Sequence, residues 1–576
     1  MKTLTSNKAF WLLLVICVVT ILPFLGLPEY HTKGEPRESI VSYSMLESDN
    51  WILPRNNGGE IPYKPPFFHW TIAAVSTLNG GQVTETTSRL PSAIALISMT
   101  LFGFLFFAKR KGTEVALLTA FITLTNFEWH RAGANCRVDM VLTALTVCAL
   151  YCFYRWYEKG LKGIPWLAIL LMSLGTLTKV PVGTIIPCLV TGVFLLLRGV
   201  NFFRAFLLLS AWAILSLILP FCWYIAAYQQ GGEEFLALVM EENFGRMTNT
   251  MSYDSCVNPW HYNFVTLFAG YVPWTLLALL SLFSLTYHKF SIQPAAWWKR
   301  FTAWIKNMDP VDLFALTSIV ATFIFYCIPQ SKRSVYLMPI YPFIAYFLAK
   351  YLFYLVKKRS KVIKVYGSIL AVLSLLLFAC FIAVKCGLIP ETIFQGRHAQ
   401  NNINFLHAIQ NINEIGSFIL IAIPTLLGIC WWVYQSKYTL SNRFLYAIVA
   451  LTMGMYIALD GAYQPPILNS KSVKSVAAEI DRVVPASAGT LYEFIEAGVR
   501  SIGDPVHYFE INFYLGNRIG NFYKDRPSEG FLLIGMQDAE RNLPEFEKEG
   551  YQFERIYQSP KPVLRQTAEI YKFIKK

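Results

Sequence analysis

About 13 stretches of this chain are apolar over close to the ~20 residues a helix needs to cross a hydrocarbon layer. They fall at approximately 10–27, 89–108, 114–130, 139–156, 164–178, 180–197, 204–227, 261–286, 311–329, 335–355, 364–385, 412–433 and 443–462. A water-soluble fold cannot bury so many segments that are apolar on every side, so the chain reads as an α-helical integral membrane protein. Only 15% of its 576 residues are charged, against ~25% in soluble domains. The net charge of +14 then needs no nucleic acid, because Lys and Arg accumulate on the cytoplasmic side of helical membrane proteins.

With the amino terminus in the cytoplasm, alternate loops are basic: Lys109-Arg110-Lys111, Arg155/Lys159/Lys162, Arg198/Arg204, Lys289 through Lys306, Lys357 through Lys364, and Lys437/Arg443. That regularity supports the topology. The opposite face, the periplasm in a bacterium, receives 28–88, 128–138, 228–260, 330–334, 386–411 and everything after about residue 463. The first span lacks a small-residue cleavage site and is expected to be retained. The 11 cysteines lie almost wholly in apolar spans, with none after Cys430, so they read as packing rather than as disulfides or zinc ligands.

The division expected is a membrane domain, 1–462, and a small α/β domain, 463–576, beginning where Tyr463-Gln464-Pro465-Pro466 ends the apolar pattern. In the second, Leu491–Ile495, His507–Tyr514, Phe531–Ile534 and Glu569–Ile574 read as strands, and Ser470–Val484 as an amphipathic helix. No glycine loop for a nucleotide is present.

The first outer loop carries Gly34-Glu35-Pro36-Arg37-Glu38 and later Lys64-Pro65-Pro66 beside Phe67, Phe68 and Trp70. Pro36 suits a first helical turn, and Ile40, Val41, Met45 and Leu46 follow at helical spacing. This predicts a surface-lying amphipathic helix over 36–48. Glu38 and Glu47 read as solvated helix charges. Glu35 sits near the positive helix pole, and the two prolines hold Lys64 in a rigid, extended segment.

Further ionisable residues fall on the same outer face: Asp139, Lys179, Glu241, Asn243 with Arg246, and Lys332-Arg333 followed by Tyr336. Cations there are not explained by the positive-inside rule. A set of this kind suits an anionic, membrane-delivered ligand, such as a polyprenyl-phosphate-linked sugar, with its phosphate held by Lys and Arg. Glu35 and Asp139 are the candidate catalytic residues; Arg37, Lys64, Lys179, Lys332 and Arg333 the phosphate ligands; Glu241, Asn243, Arg246 and Tyr336 position substrate. No cofactor is fixed by these residues; a divalent metal ion on the carboxylates is the one candidate.

The joint order Glu35-Pro-Arg37, Met45 through Pro54, Lys64-Pro-Pro, Arg89-Leu-Pro91, Arg137-Val-Asp139, Leu177-Thr-Lys179 and Lys332 through Pro342 resembles the type C membrane glycosyltransferases. It is most similar to the aminoarabinose transferases that modify lipid A and to the protein O-mannosyltransferases. The resemblance covers about residues 10–350 and implies a polyprenyl-phosphate sugar donor, a periplasmic-facing acceptor in lipid A, glycan or protein, and inversion at the sugar. The chain departs from the lipid A enzymes in the first loop. Gly34 stands where they have Asp, Glu38 where they have Tyr, and Tyr63 where they have Glu, so two carboxylates available to a metal there are missing. A lipid transporter or flippase and a periplasmic sensor are the alternatives from other classes. The first fits poorly with spans charged only at their ends, and the second leaves the first-loop charges without a role.

Overall fold

The computed structural model describes residues 5–62, 64–179, 181–242, 257–284, 294–438, 441–499 and 506–576. It is mostly helical. Among the described residues, nine helices are long and apolar enough to cross a membrane, and the pair Tyr262–Gly270 and Trp274–Leu282, bent by 105°, makes a tenth. The other three expected spans are shorter apolar helices, Thr113–Leu124, Trp166–Thr176 and Val182–Leu197. The chain resolves into two compact units: Met1–Leu27 with Ser92–Pro220 and Asn258–Ser470, and Pro28–Pro91 with Phe221–Val257 and Lys471–Lys576.

In the first unit, helix ends follow local chemistry. Asp309 accepts from the backbone N–H groups of Val311 and Asp312 (2.9 and 3.2 Å), and Pro310 opens the helix Pro310–Cys327, because neither an N-cap carboxylate nor a first-turn proline competes with the helical ladder. Helices Trp166–Thr176 and Val182–Leu197 touch through glycine. A Cβ on Gly183 would lie 2.3 Å from the carbonyl carbon of Gly175, so the backbones approach as small-residue pairs do in membranes. We expect Gly183→Ala to destabilise the protein by ~1–3 kcal/mol, the usual effect of overpacking. A lowered melting temperature in detergent checks it; an unchanged one would mean that the helices separate freely.

The second unit joins the loop after the first span to a five-stranded sheet. Its strands are β1 Leu491–Phe494, β2 Ile519–Asn521, β3 Glu529–Gly535, β4 Tyr551–Val563 and β5 Gln566–Lys575, in the order β2-β1-β3-β5-β4. The first three are mutually parallel and the last two pairs antiparallel. Alternation sends Leu533 and Ile570 to a core shared with Val476 and Ile480 of helix Lys474–Val483, and Leu532 and Ile534 to another shared with Phe546 of helix Met536–Lys548. Both faces are therefore covered. The segment expected as a strand over His507–Tyr514 is instead the helix Phe509–Tyr514. Its Phe509, Ile511 and Phe513 alternate in sequence, but Asn512 between them is also buried, so the alternation marked no solvent face.

The first-loop helix runs Gly34–Ser48, beginning two residues before the expected start, with Pro36 in its first turn. It lies outside the spans but is buried on most sides: Ser39, Ser42 and Ser44 are as enclosed as Ile40 and Met45. Phe509 and Phe513 pack with Ile40 and Tyr30. A helix with a buried polar face is not the amphipathic surface helix that its apolar spacing suggests.

His507 ties the loop to the sheet. It is 3% exposed, its Nδ1 bonds Glu493, and its Nε2 forms an ion pair with Glu60 at 2.8 Å. Burial opposes its charge, but Glu493 and Glu60 outweigh burial and lift its pKa from 6.5 to about 10. A raised folded pKa stabilises fully below pH 6.5 and ceases to do so as pH rises through about 10. Stability should thus fall by on the order of a few kcal/mol across that window. In His507→Gln the melting temperature should be lower at pH 7 and its decline toward pH 10 shallower; parallel pH curves for the two proteins would contradict the ion pair.

Candidate active site

In the second unit the sequence brings one carboxylate under three cationic or imidazole groups. Glu38, one helical turn after Glu35, is 4% exposed. Its Oε1 accepts from Lys64 Nζ, its Oε2 lies 2.9 Å from His69 Nε2, and Arg37 Nη2 stands 3.6 Å from Oε1. His69 comes from the helix Phe67–Leu78, which begins directly after Pro65-Pro66. Ser42 Oγ donates to the His69 carbonyl at 3.1 Å and fixes the two helices to each other. Burial opposes ionisation of Glu38, but Lys64, His69 and Arg37 prevail and hold its carboxyl well below the usual range. It is therefore a permanent anion and a weak base.

These residues line a cavity of about 300 Å³, together with Glu60, Glu234 and Glu241. Glu234 lies on the helix Phe202–Met240, which breaks at Gly232 (φ 55°). A positive φ of this kind is open to glycine at little cost, and the break redirects the chain toward the cavity. Of the residues singled out from sequence, Arg37, Lys64 and Glu241 line this cavity. Asn243 and Arg246 lie outside the described residues.

Glu35 is not among the lining residues. Both of its oxygens are held by Arg89, from Nε at 2.8 Å and Nη2 at 3.0 Å. Arg89 is itself 1% exposed and lies over the Tyr30 ring at 5.3 Å. Such a bidentate pair is strong and geometrically specific. It secures the start of the first-loop helix from which Arg37 and Glu38 project.

The first unit holds the second group. Asp139 stands in the first turn of the helix Val138–Glu158, and its Oδ1 accepts from Lys179 Nζ at 2.8 Å. Lys179 follows the helix Trp166–Thr176, its N–H bonded to the Gly175 carbonyl at 3.0 Å. Its ammonium lies 4.3 Å from the centre of the Tyr336 ring, which stacks on Tyr326. Tyr336 belongs to the short turn Ser334–Ile340 that follows Lys332 and Arg333. Lys332 is buried and exchanges hydrogen bonds with Asn258: its Nζ donates to the Asn258 carbonyl at 3.3 Å and its own carbonyl accepts at 2.9 Å. Arg333 is exposed.

Sequence reading missed Glu38, His69 and the role of Arg89. The signal for Arg89 was present, since an arginine leading into an apolar helix rarely goes without a partner. Glu38 and His69 carry no such signal, because their meeting depends on how two helices cross. No group of three or more His, Cys, Asp or Glu is placed to hold a metal ion among the described residues. Glu38, surrounded by Lys64, Arg37 and His69, does not suit a divalent cation, which needs carboxylates free of competing positive charge.

Comparison with known proteins meets this geometry. The family model for dolichyl-phosphate-mannose-protein mannosyltransferases matches residues 63–224. The fold is that of the crystal structure of ArnT from Cupriavidus metallidurans bound to undecaprenyl phosphate, with a TM-score of 0.69 at 16% identity over 97% of each chain. The chain is thus a membrane glycosyltransferase of the type C fold. A relative from Shewanella sediminis, the undecaprenyl phosphate-alpha-4-amino-4-deoxy-L-arabinose arabinosyl transferase, is 23% identical over 394 residues, 67% of each chain. An uncharacterised protein of Aquifex aeolicus is 26% identical over 396 residues, 66% of this chain and 72% of its own. Within its class the chain is similar to the aminoarabinose transferases and, over residues 63–224, to the protein O-mannosyltransferases.

Proposed function

We propose that this enzyme moves a single sugar, with inversion, from a polyprenyl phosphate to a phosphate of lipid A on the periplasmic face of a bacterial inner membrane. One observation supports the choice of acceptor: Glu38, the cavity carboxylate that Lys64, His69 and Arg37 surround, is held ionised by them. A Ser or Thr hydroxyl needs a base to take its proton, and a carboxyl with a depressed pKa is a poor one. A phosphate acceptor is already ionised and requires none. The cations Lys64 and Arg37 then stabilise the departing polyprenyl phosphate as charge builds on its oxygen.

In this reading Glu38 fixes the Lys64 ammonium, and Glu35 acts through Arg89 to hold the helix that presents Arg37. Lys179, oriented by Asp139 and Tyr336, is a further phosphate-binding cation, and Arg333 another. Asp139 would serve as a base only toward a hydroxyl acceptor. Glu234 and Glu241 face the sugar, where carboxylates can accept from hydroxyl or amine groups. Transfer to protein is the second reading. Mass spectrometry of lipid A and of periplasmic glycoproteins, from cells with and without the chain, separates the two. We expect a sugar-sized mass difference confined to lipid A; a difference confined to the glycoproteins would overturn the acceptor.

A further inference from the structure

The helix Val138–Glu158 has 21 residues, a rise of ~30 Å, and is long and apolar enough to carry its two ends to opposite membrane faces. Asp139 is at one end. At the other, the chain turns through Gly160, Leu161 and Gly163, all at positive φ (69°, 62° and 73°). Leu161 adopts a conformation that a leucine rarely takes without being held there. The turn is pinned by Trp156, whose Nε1 donates to the Gly163 carbonyl at 2.9 Å and whose carbonyl accepts from the Leu161 N–H at 3.1 Å.

This fixed turn encloses a cavity of about 210 Å³ with Arg155, Lys159 and Lys162 on its wall and Trp156, Ile164 and Trp166 on its apolar side. No carboxylate lines it. The nearest in sequence, Glu158, is taken by Arg110 at 2.8 Å. Arg155, Lys159 and Lys162 are exposed, and among the described residues none of their side chains takes part in a hydrogen bond or ion pair. The positive-inside rule accounts for cations on this face, but not for their convergence on a preformed cavity with an aromatic wall. From the cavity, Trp166, Leu167 and Leu170 continue along one side of the next helix, 64%, 50% and 49% exposed. That stripe offers a path for acyl chains.

We propose that this cavity binds the headgroup of one anionic phospholipid. The three cations surround its phosphate, and its chains lie along Trp166, Leu167 and Leu170. Basic cavities beside membrane helices suit such headgroups, and a free phosphate would leave the apolar stripe without a function. The site does not depend on the sugar-transfer reading, since it lies at the other end of the helix from Asp139.

The test is native mass spectrometry of the full-length protein in neutral detergent, titrated with phosphatidylglycerol or phosphatidylcholine of identical chains, and with inorganic phosphate as competitor. We expect one phosphatidylglycerol retained at least about tenfold more than phosphatidylcholine, with inorganic phosphate unable to displace it. The triple variant Arg155→Gln, Lys159→Gln, Lys162→Gln should lose that preference. A control with Lys357→Gln, Lys358→Gln and Lys361→Gln, at another basic helix end, should keep it, as should Lys159→Arg with Lys162→Arg. Because the three side chains are exposed and unpaired, their loss leaves the fold intact, which size-exclusion elution verifies. Equal retention in the triple variant, equal loss in the control, or displacement by inorganic phosphate would each overturn the proposal.

Discussion

Lys64→Met abolishes sugar transfer from a purified polyprenyl-phosphate donor, and Lys64→Arg impairs it, if the ammonium stabilises the leaving phosphate. Loss of one preorganised donor at a developing charge costs ~10²–10³ in kcat. Met keeps the length without the charge, whereas Arg keeps the charge but presents a planar fork in place of a compact point. Removing one partner of a buried ion pair also costs ~3–5 kcal/mol in stability, an upper bound here because His69 and Arg37 remain beside Glu38. A variant carrying both Glu38→Gln and Lys64→Met separates the two effects. Its melting temperature should recover toward that of the parent while its activity stays lost. Activity that recovers with stability would reduce Lys64 to a structural role.

Asp139→Asn should lower transfer by ~10²-fold, and Lys179→Met by at least as much, with the double variant no worse than the poorer single one. Residues that act as a unit are non-additive in this way. The expectation rests on the 2.8 Å contact between Asp139 and Lys179 and on the Tyr336 ring beneath the ammonium. An Asp in a first helical turn also benefits from the helix dipole, a contribution of ~0.3–1 kcal/mol. Transfer rates and melting temperatures of the three variants distinguish the roles: full activity with a slightly lowered melting temperature would leave Asp139 with the dipole alone.

The membrane architecture was legible because apolar runs and loop charge are properties of single segments. Each expected span is a helix or a bent helix pair, even where, as at Thr113–Leu124, it is shorter than a span requires. Lys64 and Arg37 could be singled out because cations on a face expected to be the outer one lack a topological explanation, and both line the cavity. Glu38 was not. In sequence it is one charge on a helix of low apolar content, and only the crossing of the helices Gly34–Ser48 and Phe67–Leu78 turns it toward His69 and Lys64. Phe509–Tyr514 misled for the converse reason, since burial on several sides imitates the alternation of a strand.

The resemblance read from the sequence implies Tyr at position 38 and Glu at position 63 in the lipid A enzymes. In this chain the carboxylate that meets Lys64 is Glu38, supplied by the first-loop helix.

The central claim is that the donor is a sugar on a polyprenyl phosphate. The most direct measurement incubates the purified full-length protein with a polyprenyl-phosphate sugar labelled in the sugar, with lipid A as acceptor, and follows both the label and the freed polyprenyl phosphate. The account predicts that label enters lipid A as polyprenyl phosphate appears in equal amount, and that Lys64→Met does neither. Label that reaches lipid A only from a nucleotide sugar, with the polyprenyl-phosphate sugar left intact, would contradict it.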